Sequence, residues 1–179
     1  MTLGVGLAML GAAIAIILSA VGATIGVSKV SAAANAVLTK EPKHFSKLLI
    51  LMMLPSSQAI YGLVVAFMIF IQIGILPGST FVPATTELGA IILLLCLPVA
   101  ILGIVTTIIQ GNVGVTAVNL YTKQNKTFGN CILIMSVTEV FALFGFLISI
   151  LGVLFIVPTH LENLPEVYQA TSCILSAIA

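Results

Sequence analysis

One glutamate, Glu139, lies deep inside an apolar run, about 11 residues or roughly 16 Å of helix from Phe128 at its polar edge. That depth is the centre of a hydrocarbon layer about 30 Å thick, where an ionisable group costs several kcal/mol and marks a functional site by default. A protonated glutamate bonded to a neighbouring helix is the bland alternative, but a glutamine serves that role with less penalty. Gln58, about 13 residues beyond Phe45, and Gln110, about 12 before Thr122, come to roughly 18 to 20 Å from the same surface by the same rise. Three apolar segments therefore place polar groups at one level.

Around Gln58 the residues Leu54, Ser57, Gln58 and Tyr61 follow the i, i+3, i+4, i+7 spacing of one helical face. Pro55 removes a backbone donor, leaves the Leu51 carbonyl without its helical partner and tends to kink the turn, so that carbonyls there can face a ligand. The set offers a carboxylate, two amide oxygens, a hydroxyl and a distorted turn. Hard cations take oxygen ligands, and one carboxylate balances a monovalent ion better than a divalent one. A site that only carries a proton needs the carboxylate and one acceptor at most, so sodium fits this set better, with the proton as its rival. Tyr61 can donate a hydrogen bond to Glu139 and hold it in place.

The elements that must position these groups follow from composition. The chain of 179 residues is 60% hydrophobic and only 6% charged, far below the roughly 25% of a soluble domain. Apolar runs at about 2–38, 46–76, 88–121 and 129–157 each reach the roughly 20 residues that a bilayer-spanning helix needs. The reading is an all-α membrane protein of four transmembrane helices. The first run lacks the basic start and cleavage site of a signal peptide and is expected to stay in the mature protein. A net charge of +1 gives no sign of nucleic-acid binding. Cys96, Cys131 and Cys173 have no metal or redox spacing and read as small apolar side chains.

Lysines set the expected orientation. Lys40, Lys43 and Lys47 fall in the first polar connection, and Lys123 and Lys126 in the third, so loops 39–47 and 122–128 are expected in the cytoplasm and both termini outside. Lys29 can snorkel towards the same surface. The N-K-T triplet at Asn125 then lies on the cytoplasmic side and reads as a chance sequon. Glu87, Glu162, Glu166 and the connection from Leu76 to Glu87 fall on the other side.

Sliding the chain against itself by 83 residues aligns its halves without a gap. Thr39, Lys40, Lys43 and Phe45 meet Thr122, Lys123, Lys126 and Phe128, while Gly6, Thr24, Ala34 and Gly62 meet Gly89, Thr107, Ala117 and Gly145. Both copies carry a basic loop, so they form a parallel repeat: a first hairpin at 1–83, a second at 84–157, and a C-terminal extension at 158–179. Glu139 falls opposite Ser56 and Gln110 opposite Val27, so each pair of hairpins holds one carboxylate. Helix 1 also bears a stripe of small residues, Gly4, Gly11, Ala15, Gly22, Gly26 and Ala33, which suggests a tightly packed inner wall; an ordinary helix-dimer face is the alternative.

The segments L-P-S-S-Q-A-I-Y-G at Leu54 to Gly62, I-Q-G at Ile109 to Gly111 and T-E-V-F-A-L-F-G-F at Thr138 to Phe146 resemble the duplicated-hairpin proteolipids of V-type ATPases, of the bacterial sodium-translocating type. The resemblance covers all four helices. It implies a homo-oligomeric membrane rotor ring that turns against a stator subunit bearing an essential basic residue, with central-stalk subunits at the cytoplasmic loops. It further implies sodium ligands at the Leu54 carbonyl, the Ser57 hydroxyl, the amide oxygens of Gln58 and Gln110 and the Glu139 carboxylate, with Tyr61 bonded to that carboxylate. Ser57 stands where sodium-type members have threonine, which keeps the hydroxyl. The continuation past Pro158 departs from the family, and its apolar end from Cys173 to Ala179 is too short to span a bilayer.

On that reading the chain is a non-catalytic subunit. It has no arginine to supply the stator charge and no P-loop to hydrolyse nucleotide. The rival readings are the same rotor carrying protons, a self-contained four-helix secondary transporter, and a structural or pore-forming proteolipid.

Overall fold

In a lipid interior no water is available to satisfy peptide groups, so long apolar runs must close their hydrogen bonds within themselves as helices. The computed structural model describes residues 3–75 and 84–162, and among the described residues all regular structure is helical. The helices are α1 (Leu3–Leu38), α2 (Phe45–Met53), α3 (Ser57–Ile73), α4 (Thr86–Lys123) and α5 (Phe128–Glu162), with 3₁₀ turns at Pro42–His44, Leu54–Ser56 and Asn125–Thr127. α2 and α3 together make one span, Pro42–Ile73, beside Leu3–Leu38, Thr86–Lys123 and Phe128–Pro158. The chain is a multi-pass membrane protein.

α5 continues about one turn beyond Pro158, where the sequence reading ended the helix. Proline removes only one donor, so the remaining helical hydrogen bonds can carry α5 past it to Glu162. The expectations for the middle connection at 76–83, and for the C-terminal extension beyond Glu162, lie outside the described residues. α3 stops at Gly74, whose φ of 72° is the left-handed conformation that glycine adopts freely and whose N–H bonds back to the carbonyls of Phe70 and Ile71. α4 starts with Thr85, whose side chain accepts a hydrogen bond from the Leu88 N–H.

α1 and α4 form the most extensive helix pair, α3 packs on α1, and α5 packs on α4. Lipid tails are as apolar as the side chains, so this association depends on close packing rather than on hydrophobic transfer. The small residues of α1 supply it, because they face α4 within the same chain. A methyl group added to Gly22 would lie 2.7 Å from the Ile104 Cα, and one on Gly111 would lie 2.8 Å from the Gly26 Cα. The stripe is therefore first of all an intramolecular seam.

Two apolar clusters occupy the two ends of the bundle. One gathers Val5, Ile69, Ile92 and Val157, and the other Val30, Leu48, Val118 and Met135. Along every span the buried polar residues Ser19, Gln58, Thr106, Thr107, Gln110 and Ser149 fall between them. Next to Pro98, the Val99 peptide is pinned from both sides: its N–H donates to Ser149 Oγ at 3.2 Å, and its carbonyl accepts from Ser19 Oγ at 3.4 Å.

At the end carrying the two short loops, Tyr121 is buried and its hydroxyl is hydrogen-bonded to His44 Nδ1 at 2.7 Å. The other ring nitrogen of His44 meets Glu41 Oε2 at 2.8 Å. The Lys47 ammonium lies 5.7 Å from the ring centres of both Tyr121 and Phe128, within cation–π range. These contacts tie the first loop to the second hairpin. The hydrogen bond from His44, with Lys43 second, holds the exposed Glu41 carboxyl below its usual value of 4.5.

Candidate ion-binding site

The site forms where the second span breaks. Pro55 cannot donate into the helix, and the chain from Leu54 to Ser56 tightens into a 3₁₀ turn between α2 and α3. The Leu54 carbonyl accepts from the Ser57 N–H and from the Ser57 hydroxyl, the latter at 3.1 Å. Ser57 Oγ also lies 3.4 Å from Gln58 Oε1, so three oxygens of this turn lie close together.

From the break, α3 sends Gln58 inwards. Its side chain is fully buried, as is that of Gln110 on α4, and Gln58 Nε2 donates to Gln110 Oε1 at 2.8 Å. Gln110 Nε2 in turn donates to the Met135 carbonyl of α5 at 3.3 Å. The two amides thus latch three helices together. One turn along α3, the Tyr61 hydroxyl donates to Glu139 Oε1 at 2.9 Å. The Tyr61 ring packs against Phe146, with ring centres 5.1 Å apart, which limits the directions its hydroxyl can point.

The residues singled out in the sequence fall into two bonded groups. Leu54, Ser57, Gln58 and Gln110 form a chain of contacts, and Tyr61 and Glu139 form a pair. No hydrogen bond joins Glu139 to Ser57, Gln58 or Gln110 among the described residues. Every buried side-chain nitrogen or oxygen among them has a partner. The buried amides are thus satisfied, as expected in a low-dielectric interior where an unpaired amide is costly, while Glu139 is only partly buried.

The sequence reading did not include Met135 or Thr138. The Met135 carbonyl accepts from both Gln110 Nε2 and Thr138 Oγ, the second at 2.6 Å. The only signal was the i, i+3 spacing of Thr138 from Met135, which by itself does not single out a carbonyl.

The chain's two-hairpin sequence matches known proteins. The ATP synthase C-subunit family matches twice, over residues 10–69 and 93–152, and the second match is displaced from the first by 83 positions at both ends. The chain belongs to the ATP synthase C-subunit family. Within it, the chain is 36% identical over 151 residues to the V-type sodium ATPase subunit K of Enterococcus hirae, covering 84% of this chain and 92% of the relative. It is 30% identical over 142 residues to the V-type proton ATPase 16 kDa proteolipid of Nephrops norvegicus, covering 79% and 86%. It is likewise 30% identical over 144 residues to the V-type proton ATPase 16 kDa proteolipid of Ovis aries, covering 80% and 88%.

This proteolipid is therefore a non-catalytic, ion-binding rotor-ring component of a V-type ATPase. Nucleotide hydrolysis takes place on other chains.

Proposed function

We propose that the proteolipid carries sodium across the membrane on Glu139 as its ring turns against a stator. The observation that carries this reading is the oxygen-lined break at Leu54–Ser56, set at the level of the one carboxylate that lies deep along a span. Ser57 Oγ lies 3.1 Å from the Leu54 carbonyl oxygen and 3.4 Å from Gln58 Oε1. Two oxygens held about 2.4 Å from one hard cation at right angles are about 3.4 Å apart, so these spacings match two edges of a coordination shell. The identity to a sodium ATPase proteolipid supports the same ion.

In this reading sodium takes the Leu54 carbonyl, the Ser57 hydroxyl, the amide oxygens of Gln58 and Gln110 and the Glu139 carboxylate. Each of these oxygens has a lone pair to give. The Gln110 oxygen accepts one hydrogen bond from Gln58 and has a second lone pair, and the Ser57 hydroxyl rotates away from Leu54 to expose the carbonyl. Tyr61 keeps the carboxylate oriented while the ion enters. With sodium bound, Glu139 is neutralised and the helix that carries it can face lipid. At the stator, a fixed positive charge from another chain favours the ion-free carboxylate, since opposite charges attract strongly at low dielectric. Each ion occupies one pair of hairpins, 1–83 and 84–157. The loops at 39–47 and 122–128 face the cytoplasm and the central stalk, and the termini lie outside.

The test uses the assembled ATPase in sealed inverted vesicles at fixed pH. ATP hydrolysis is expected to rise with sodium concentration and to drive uptake of radioactive sodium, and Glu139→Gln to abolish both. Full hydrolysis and acidification of the vesicle interior without sodium would make the proton the carried ion, as in proton ATPases such as those of Nephrops and Ovis.

A further inference from the structure

The repeat allows the contact between the two hairpins of one chain to be carried over to the contact between two chains. Inside the chain, a residue of the first hairpin meets a residue of the second. Adding 83 to the first position and subtracting 83 from the second yields the pair that would meet if the second hairpin of one copy touched the first hairpin of the next. Gly11 packs on Leu93, which translates to Leu94 and Leu10. Gly22 packs on Ile104, which translates to Val105 and Val21, and Gly26 on Thr107, which translates to Ile109 and Thr24.

Each internal contact is a close approach at a buried glycine, yet every translated residue is exposed. Leu94 is 61% and Leu10 50% exposed, and Val105 and Val21 are each 46% exposed. The site contacts translate as well. Tyr61 with Glu139 becomes Phe144 with Ser56, and Gln58 with Gln110 becomes Phe141 with Val27. Phe141 and Phe144 form an exposed edge-to-face pair on α5, with ring centres 6.3 Å apart. On the first hairpin, a groove of ≈ 440 Å³ runs between α1 and α3, lined by small side chains that include Ala20, Thr24, Val27, Ser56 and Ala59. It contains Ser56 and Val27, the two residues with which the rule pairs these phenylalanines.

We infer that the unpartnered faces of the chain are the two halves of one copy-to-copy interface, in which Phe141 and Phe144 of one copy fill the Val27–Ser56–Ala59 groove of the next. The occupant is a second copy of this chain, and the contact is heterologous, the kind that a closed rotor ring repeats. Bulky Leu94, Val105 and Ile109 stand where the internal seam has Gly11, Gly22 and Gly26, so α4 and the next copy's α1 are further apart than α1 and α4 within a copy. The ring then alternates between a close, ion-binding junction inside each copy and a wider, apolar junction between copies. One polar contact occurs at both. Lys29 Nζ donates to Asn112 Oδ1 at 2.9 Å, and because these two positions are themselves 83 apart, the rule pairs Asn112 with the next copy's Lys29. A belt of alternating lysine and asparagine follows around the inner face.

The inference rests on the rotor-ring reading, and the test separates the two. With Cys96, Cys131 and Cys173 replaced by alanine, the double variant Val21→Cys/Val105→Cys is bridged in native membranes with a short bis-maleimide, and the ring mass is measured by native mass spectrometry. The expected result is a ladder of covalent oligomers that rises to the full ring mass, while either single variant stays monomeric because each face meets only its complement. Leu10→Cys/Leu94→Cys provides a second pair should the first fail to assemble. Rings of full mass with no ladder from either pair would overturn the interface and leave the rotor standing. Absence of any ring in the unsubstituted protein would overturn both.

Discussion

The two hairpins share one architecture and differ where it matters. Their loops carry 3₁₀ turns at equivalent places, Pro42–His44 and Asn125–Thr127, and the following helices start at Phe45 and Phe128. Beyond that point the first hairpin breaks at Leu54–Ser56, while α5 runs unbroken through the equivalent residues Val137 to Glu139. The first hairpin carries Ser57 and Gln58 beside that break, and the second carries Gln110 and the charge of Glu139 on an unbroken helix. Proline at position 55 against threonine at 138 accounts for the difference in backbone. A site divided in this way needs both hairpins, which explains how two copies can yield one carboxylate site.

The largest effect is expected from moving the charge. Glu139→Gln should abolish sodium uptake by vesicles containing the assembled enzyme, and adding Ser56→Glu to that variant should not restore it, because Val27 stands where the second hairpin has Gln110. Restored uptake would mean that the hairpins are interchangeable. The seam comes next. Gly22→Val copies the second hairpin's Val105 into a place where a first carbon already lies 2.7 Å from the Ile104 Cα, so the yield of folded protein in detergent should fall several-fold.

Straightening the first hairpin with Pro55→Ala should weaken sodium binding by about tenfold, or roughly 1.4 kcal/mol, with the fold retained, as read by sodium titration of carboxyl labelling. Gln110→Leu strips the Gln58 amide of its acceptor and should lower stability by about 1–3 kcal/mol in thermal unfolding. The smallest effect lies in the loop. The Glu41 carboxyl is held below its usual value of 4.5, so its contact with His44 is complete above that value and is lost as pH falls through the lowered one. Carboxyl NMR shifts of Glu41 in wild type and in His44→Ala should separate in that acidic range alone.

Much of the fold was legible in the sequence, because hydropathy over lengths set by the bilayer leaves helices as the only solution, and four runs gave four spans. The break at Pro55 was legible for a local reason, a missing donor. The course of α5 beyond Pro158 was not, since a proline marks a weakened bond without fixing where a helix stops. In the site, depth counting brought Gln58, Gln110 and Glu139 to one level, but rise per residue carries no information about azimuth between helices. It therefore could not show that the two glutamines bond each other, that Glu139 bonds Tyr61 alone, or that Met135 enters through its carbonyl. The seam was legible as a stripe of small residues, while its partner, α4 of the same chain, emerged only from the packing.

The central claim is that Glu139 is a sodium ligand completed by Gln110 of its own hairpin and by the oxygens of the first hairpin. Its most direct test is the rate of carbodiimide modification of Glu139 in purified membranes, titrated with sodium and with potassium at fixed pH. Protection by sodium and not by potassium, with the protecting concentration raised in Pro55→Ala, is the predicted result. Modification that follows pH alone and ignores sodium would contradict it.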